Sequence, residues 1–386
     1  MHMNIISILI FIATITCYFG AHVFLYFSTI NFFSITNHPA KIIIFVIYCV
    51  LAISFFGAAA LAHWSNGWFS KMIYFSASVW LGWFIYLVLI SLVVWLLIIV
   101  FKMFNIDTKL IFGIITFISS LIIIGYGVWQ AFHPIVTNVN VAFSNLPKAW
   151  ETKTIVQLSD VHLGRINGVG FAEKIVAQVN DLQPDVIVIT GDLFDGMGSN
   201  VVEFLPTLNK LTAPDGVYFV TGNHEGYLGE DKIISQLKNT NITVLDNRAI
   251  DLAGVQLVGV SYSHISTIDQ LINYDPAKIN ILLYHEPVTL KQSRTENNQY
   301  NTYLSPNTSF ATQKQLGIDL QLSGHTHAGQ FFPFNLFAQK IYHGLAYGLF
   351  QDDTFHLYVT SGTGTWGPPL RIGTRSEIVV LHFNER

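Results

Sequence analysis

The first 130 residues carry only five charged side chains, Lys41, Lys71, Lys102, Asp107 and Lys109, and this scarcity constrains the chain more than any other feature. A membrane-spanning helix needs about 20 mainly apolar residues. Four stretches qualify: 4–30, 41–62, 72–101 and 110–130. The third is longer than one span requires and too short for two, so it is expected to tilt or to end in the interface. Trp64, Trp68, Trp80, Trp83, Trp95 and Trp129 fall mostly near the expected ends, where interfacial aromatics collect. The first stretch makes a poor cleavable signal, since it lacks a basic leading region, is long, and is followed by further spans.

No carboxylate, lysine or arginine lies in the middle of a span. Ionisable groups inside a membrane usually mark ion or proton paths, so the apolar region reads as an anchor rather than a transporter. Cys17 and Cys49 both lie in apolar runs, which excludes them as a disulfide framework or as metal ligands for the rest of the chain. With four spans both termini share a side. Lys41, Lys102 and Lys109 on one side outnumber Lys71 on the other, which places the C-terminal domain outside by the positive-inside bias.

The whole-chain average, 51% hydrophobic and 11% charged, therefore conceals two regions. The expected division is a transmembrane four-helix domain at 1–130, a linker with a short strand at 131–150, and a soluble domain at 151–386 long enough to bury a core. The net charge of −4 offers no basic face, so a nucleic-acid partner finds no support.

In the soluble part, β-branched or apolar runs at 154–159, 185–190, 217–221, 279–284 and 318–322 predict strands. Phe171, Ile175, Val179 and Leu182 recur at helical spacing, and 201–212 is a second helix candidate. Each strand ends at a block of chemically useful residues: Asp160-Val161-His162, Gly191-Asp192, Gly222-Asn223-His224-Glu225, His285 and Gly324-His325-Thr326-His327. Open α/β sheets place their ligands at such carboxyl ends. Asp160, Asp192 and Asn223 stand about 30 residues apart, the length of a strand–helix–strand unit, which sets them along one sheet edge. The later region, with strands at 345–347, 355–360 and 377–383 and no clear helix, suggests a second sheet packed on the first.

A lone Asp-x-His or Gly-Asp is weak, and any one histidine is as often structural as a ligand. Asp160 and His162 are separated by one residue, and in extended chain both would face the same way. Asn223 is an unusual ligand through its carbonyl oxygen, and two imidazoles after a glycine turn, His325 and His327, form the sharpest block. Five such blocks in order at strand ends point to two metal ions held by oxygen and nitrogen, without thiolate. That donor set suits Mn²⁺, Zn²⁺ or iron.

The blocks resemble those of the calcineurin-like metallophosphoesterases, in particular a bacterial membrane-associated branch. The similarity runs from about Val156 to the end and includes Leu158 to Gly164, Thr221 to Glu225, Leu322 to Gln330, and Gly367 to Gly373. Ala328 departs from the glycine usual in that branch, and the polar segment 292–312 is longer than usual. The resemblance implies an αββα sandwich of two mixed sheets, with Asp160, His162 and His327 on a first ion, Asn223, His285 and His325 on a second, and Asp192 bridging both. Such a pair acidifies a water whose hydroxide attacks phosphorus. His224 would protonate the leaving group, oriented by Asp195 unless that residue only stabilises its turn.

The function so implied is hydrolysis of phosphodiester or pyrophosphate bonds at a bacterial plasma membrane. A lipid-linked phosphate is the attractive substrate, one related branch acting on UDP-2,3-diacylglucosamine, which would require a cytoplasmic site. The alternative is a membrane sensor or scaffold whose phosphoesterase-like domain binds ligand without turnover; an intact ligand set argues against it. Arg165, Arg371, Arg375 and His343 are open between site-lining and structural roles. His264, His356 and His382 read as structural, and 292–312 as either a lid or a surface loop.

Overall fold

The computed structural model describes residues 5–65, 67–196, 200–262, 273–290 and 305–386. The chain divides into two units, Met1–Val128 and Trp129–Arg386.

Four helices fill the first unit and the turn that follows it: α1 (Ile5–Phe32), α2 (His38–Trp64), α3 (Trp68–Met103) and α4 (Lys109–Ala131). All four are long and apolar enough to cross a membrane, matching the four expected stretches. Their outward faces are apolar, with Ile43, Leu96 and Ile122 all 60% exposed or more. In a bilayer, packing and polar contacts replace the hydrophobic drive between helices. Trp83 Nε1 donates to Ser120 Oγ and Trp95 Nε1 to Ser28 Oγ, each at 2.9 Å. Gly113 lets α4 approach Phe32 of α1, since a Cβ there would meet the Phe32 Cβ at 2.7 Å.

The second unit runs β1 (Ile135–Phe143), β2 (Thr154–Leu158), α5 (Val169–Asp181), β3 (Val186–Thr190), α6 (Leu205–Leu208), β4 (Val217–Val220), α7 (Asn223–Leu228), α8 (Glu230–Leu237) and β5 (Ile242–Val244). It continues with β6 (Arg248–Leu252), β7 (Val255–Gly259), β8 (Ile279–Leu283), α9 (Ala311–Leu316), β9 (Leu320–Ser323), α10 (Phe334–Ile341), β10 (Gly348–Asp352), β11 (Phe355–Val359) and β12 (Glu377–Glu385). Two six-stranded mixed sheets result, in the orders β1-β12-β2-β3-β4-β5 and β10-β11-β9-β8-β7-β6.

Alternation along each strand sorts side chains between layers. Val186 and Val188 of β3 face the layer between the sheets, where they join Leu257, Ile281, Leu283 and Leu322. Ile187 and Ile189 turn the other way, onto Phe171, Ile175 and Val179 of α5. Leu282 and Leu357 cover the far side of the second sheet with Phe310 and Ile318. This is the αββα arrangement the resemblance implied.

The short strand expected within 131–150 is β1, an edge strand paired in parallel with β12 along its whole length. Two expectations need correction. The helix expected at 201–212 shrinks to a 3₁₀ turn, Val201–Glu203, and the four-residue α6. The region after the last histidine block does hold a helix, α10, and the first strand there starts at Gly348 rather than 345. Residues 291–304, most of the polar segment 292–312, lie outside the described residues, as does His264.

Candidate metal centre

Strands β2, β3, β4, β8 and β9 deliver their blocks to one place because each block lies just past the strand's last residue or, for Asn223, opens the helix that follows. Asp160, His162, Asp192, Asn223 and His285 are all at most 7% exposed. His327 Nε2 stands 3.0 Å from His162 Nε2 and 3.4 Å from Asp160 Oδ1. A second set gathers around Asn223 Oδ1, which is 3.1 Å from His285 Nε2 and 3.0 Å from His325 Nδ1. Asp192 Oδ2 reaches both, lying 3.2 Å from His285 Nε2 and 3.8 Å from His162 Nε2. All seven residues singled out as ligands therefore converge on one place.

These separations are those of atoms sharing an ion. Ligand atoms about 2.1 Å from a common centre stand roughly 3.0–3.4 Å apart. A hydrogen bond between the His162 and His327 rings would require opposite tautomers, whereas an ion would take a lone pair from each. The His285 Nδ1–H donates to the Thr190 carbonyl at 2.8 Å, which turns Nε2 toward the cluster, as the other ring N–H of a metal-bound histidine commonly does. Behind His325, the buried Glu286 carboxylate lies 3.9 Å from Nε2.

The electrostatics agree. Burial, reinforced by neighbouring imidazoles, pushes His162 down to about 3. Burial and the Arg371 guanidinium hold His327 well below its usual range. The His162 and His327 rings, with lone pairs free, thus lie among the buried carboxylates of Asp160 and Asp192. Burial opposes charge on His285 too, but contact with Asp192 overrides it and raises the ring to about 10.

The backbone route to this convergence was not the expected one. Asp160, His162, Asp192, His325 and His327 have φ of 52°, 48°, 51°, 71° and 49°, so the Asp-x-His pair does not share a face by extension. Each non-glycine residue in this left-handed region costs roughly 1–3 kcal/mol, compensated by fixed contacts. The His325 N–H donates to Asp160 Oδ1 and Oδ2 at 3.0 Å, and the His224 N–H to Asp192 Oδ1 at 2.9 Å.

Glu225, to which the sequence gave no role, is fully buried and accepts from the N–H groups of Asp192, Phe194 and Gly222 at 2.8–3.0 Å. Burial and the nearby Asp192 raise it to about 7. Its position three residues after Gly222 is a helix-capping signal legible in the sequence. Tyr227, Trp366 and Gly196, also unremarked, line a cleft of about 600 Å³ together with Asp192, Asn223, His224, His325 and His327.

His224 faces this cleft with Nδ1 turned inward, 3.5 Å from Asp195 Oδ1. Burial would lower its affinity for protons; Asp195 and Asp192 outweigh that, and the net shift is upward. Arg371 is wholly buried and donates to the carbonyls of His327, Ser361 and Gly364 at 2.6–2.8 Å; it is structural. Arg165 is 7% exposed and so is no solvated surface cation. Arg375 is exposed, and His343, also exposed, hydrogen-bonds Thr308 Oγ1 at 3.2 Å. His356 contacts the Asp319 carbonyl and His382 the Asn138 side chain.

A two-sheet sandwich with clustered candidate ligands at its strand ends is the arrangement of a metal-dependent phosphoesterase, and comparison with known proteins agrees on the metallophosphoesterase family. The calcineurin-like phosphoesterase profile matches residues 153–329. An uncharacterized metallophosphoesterase of Campylobacter jejuni is 32% identical over 73% of this chain and 72% of its own length. One from Helicobacter pylori is 35% identical over 68% of each chain. A bovine transmembrane protein with metallophosphoesterase domain is 35% identical over 64% of this chain and 56% of its own. Among solved structures, a dimetal phosphatase from Danio rerio is similar at 12% identity, covering 61% of this chain and all of that one, with a TM-score of 0.37. The chain belongs to the calcineurin-like metallophosphoesterase family and is a metal-dependent phosphoesterase.

Proposed function

We propose that the protein hydrolyses a phosphodiester or pyrophosphate bond of a lipid-linked substrate, with residues 151–386 and strand β1 forming the hydrolase and 1–130 the anchor. The observation that carries this reading is the single oxygen, Asp192 Oδ2, within 3.2 Å of His285 and 3.8 Å of His162, which gives two ions a shared ligand. Asp160, His162 and His327 would hold one ion and Asn223, His285 and His325 the other, as Mn²⁺, Zn²⁺ or iron. When bound, such a pair supplies Lewis acidity to phosphoryl oxygens and acidifies a water. His224 lines the cleft and, in its protonated form, gives a proton to the departing oxygen as a water oxygen bonds to phosphorus and the phosphorus–oxygen bond to the leaving group breaks. Asp195 favours the protonated ring. Tyr227 and Trp366 supply apolar walls suited to a leaving group or lipid stem.

The lysine distribution supports a domain outside the cytoplasm, which reporter fusions after residue 131 would test. The reaction is tested with the full chain in nanodiscs, supplied with Mn²⁺, on bis-p-nitrophenyl phosphate and on a polyprenyl pyrophosphate. Faster turnover of the lipid-linked compound is expected. A preference for the soluble ester refutes the lipid part, and no hydrolysis with any of the three metals refutes the enzyme in favour of a ligand-binding sensor.

A further inference from the structure

Helix α10 is amphipathic by sequence, FNLFAQKI, yet none of its residues is buried. Phe334, Leu336 and Phe337 are 44%, 58% and 58% exposed, and Phe332 just before them 45%. The rings of Phe331, Phe334 and Phe337 form a file with centroids 5.3 and 6.4 Å apart. Three large apolar side chains on one short helix facing water are costly, at about 25 cal/mol per Å² of apolar surface, and contiguous patches of this kind mark binding surfaces.

What covers the patch follows from where α10 is fastened. The Phe332 N–H donates to the Ile372 carbonyl at 2.8 Å. Segment 371–376 in turn holds the end of α4: Gln130 Nε2 donates to the Arg371 carbonyl at 3.2 Å, and Ser376 Oγ to the Ala131 carbonyl at 3.2 Å. The Ile135 N–H donates to the Ser376 carbonyl at 2.9 Å. Ile135 also shares a cavity of about 280 Å³ with Asn335 and Gln339 of α10 and with Arg375. The apolar helix is therefore built onto the residues at which the fourth candidate span, ending at Ala131, passes into the globular domain. Only residues 132–134 intervene before β1, a reach of about 10–14 Å.

The surroundings have interfacial character. Trp129 is 51% exposed and stacks on His133 with centroids 4.8 Å apart, and Ile135 and Val136 are 37% and 41% exposed. Lys340 on α10 is exposed, as is Arg375, which lines the cavity with Asn335 and Gln339. Aromatic rings flanked by cations suit the headgroup level of a phospholipid leaflet.

We propose that α10 is an interfacial helix whose Phe334, Leu336 and Phe337 side chains lie in the headgroup–acyl boundary of the bilayer that the four apolar helices span. The proposal does not depend on the reaction catalysed. It does put a lipid surface beside the cleft: Gln330, just before Phe331, exchanges two hydrogen bonds of 2.9 Å with the main chain of Trp366, which lines the metal centre.

The test uses the full chain carrying Cys17→Ser and Cys49→Ser in nanodiscs of phosphatidylethanolamine and phosphatidylglycerol. A nitroxide is attached at Phe337→Cys, Leu336→Cys or, as a water-facing control, Lys232→Cys. Collision rates with oxygen and with a nickel chelate are measured for each. An oxygen-to-nickel ratio several-fold higher at 336 and 337 than at 232 is expected. Ratios equal to the control overturn the proposal. So does dipolar broadening between labels at 337, which would put a second copy on this face. Where Phe337→Cys fails to fold, Leu336→Cys decides alone.

Discussion

The Gly196 N–H donates to His224 Nδ1 at 2.9 Å, closer than the Asp195 carboxylate, 3.5 Å from the same nitrogen. A nitrogen that accepts carries no proton, so the Gly196 contact belongs to the neutral ring with its hydrogen on Nε2, while the protonated ring carries a hydrogen on Nδ1 as well and turns it to Asp195. Main chain thus shares with Asp195 the orienting task that the sequence assigned to the carboxylate alone.

That division ranks the variants. His224→Ala is expected to keep both metal ions and lose about 10²–10⁴-fold in turnover. Asp195→Asn keeps the Gly196 contact and is expected to lose only about 10-fold. Steady-state rates paired with elemental analysis of bound metal check both. Equal losses in the two variants would restore Asp195 as the principal orienting group.

The two glycine turns test the ligand geometry without removing a ligand. A Cβ on Gly324 would collide with Ser159 Oγ and Asp160 Oδ2, and one on Gly222 with the Asp192 carboxylate. Gly324→Ala is expected to weaken the ion held through Asp160, and Gly222→Ala to weaken both ions, since Asp192 serves the two sets. Losses of about 10–100-fold in affinity are measurable by titration with Mn²⁺ and by metal content. Full occupancy in Gly222→Ala would remove Asp192 as the shared ligand.

Chelation gives a stability readout independent of substrate. An ion present at about 100 times its dissociation constant stabilises the folded state by about 2.7 kcal/mol. Prolonged treatment with a chelator should therefore lower the Tm of the globular domain and abolish hydrolysis, with both restored by Mn²⁺, Zn²⁺ or iron. An unchanged Tm after verified metal removal would mean that Asp160, Asp192 and the five other residues hold no ion that matters to folding.

What could be read from the sequence was the identity of those seven residues and their order on strand ends. β3 and β8 are buried at every position and their continuous apolar runs stop at the blocks, so the runs and their punctuation sufficed. The left-handed φ at Asp160, His162 and Asp192 was not legible, because only glycine announces such a conformation by its identity. β1 was half legible: its run 135–143 looks like a strand, but its pairing with β12 joins residues more than 240 positions apart. α10 escaped notice because its apolar residues contribute nothing to a core, which is the pattern a helix reading relies on.

Arg371 separates a structural cation from a substrate-binding one. Its guanidinium, 0% exposed, ties the His327 carbonyl to those of Ser361 and Gly364. Arg371→Met leaves these acceptors buried without a donor, at about 1–3 kcal/mol for each carbonyl. Arg371→Lys is expected to rescue little, because one ammonium cannot reproduce the planar fork. Chemical denaturation should show a loss of at least about 3 kcal/mol for the methionine variant, with weakened metal binding. A change confined to KM would return Arg371 to the substrate.

Ala328 stands directly after ligand His327 with φ +52°, ψ +26°, where the resembling branch carries glycine. A left-handed alanine costs about 1–2 kcal/mol relative to its preferred conformations. Glycine avoids that cost and gives back about 0.4–1 kcal/mol through the greater freedom of the unfolded chain. The Thr326 side chain accepts from the Ala328 N–H at 3.1 Å, a contact that glycine retains. Ala328→Gly is therefore expected to raise stability by about 0.5 kcal/mol and to leave the metal content unchanged. Urea unfolding measures it. A loss of stability would mean that the Ala328 methyl group, buried at 6% exposure, contributes more by packing than the left-handed turn costs.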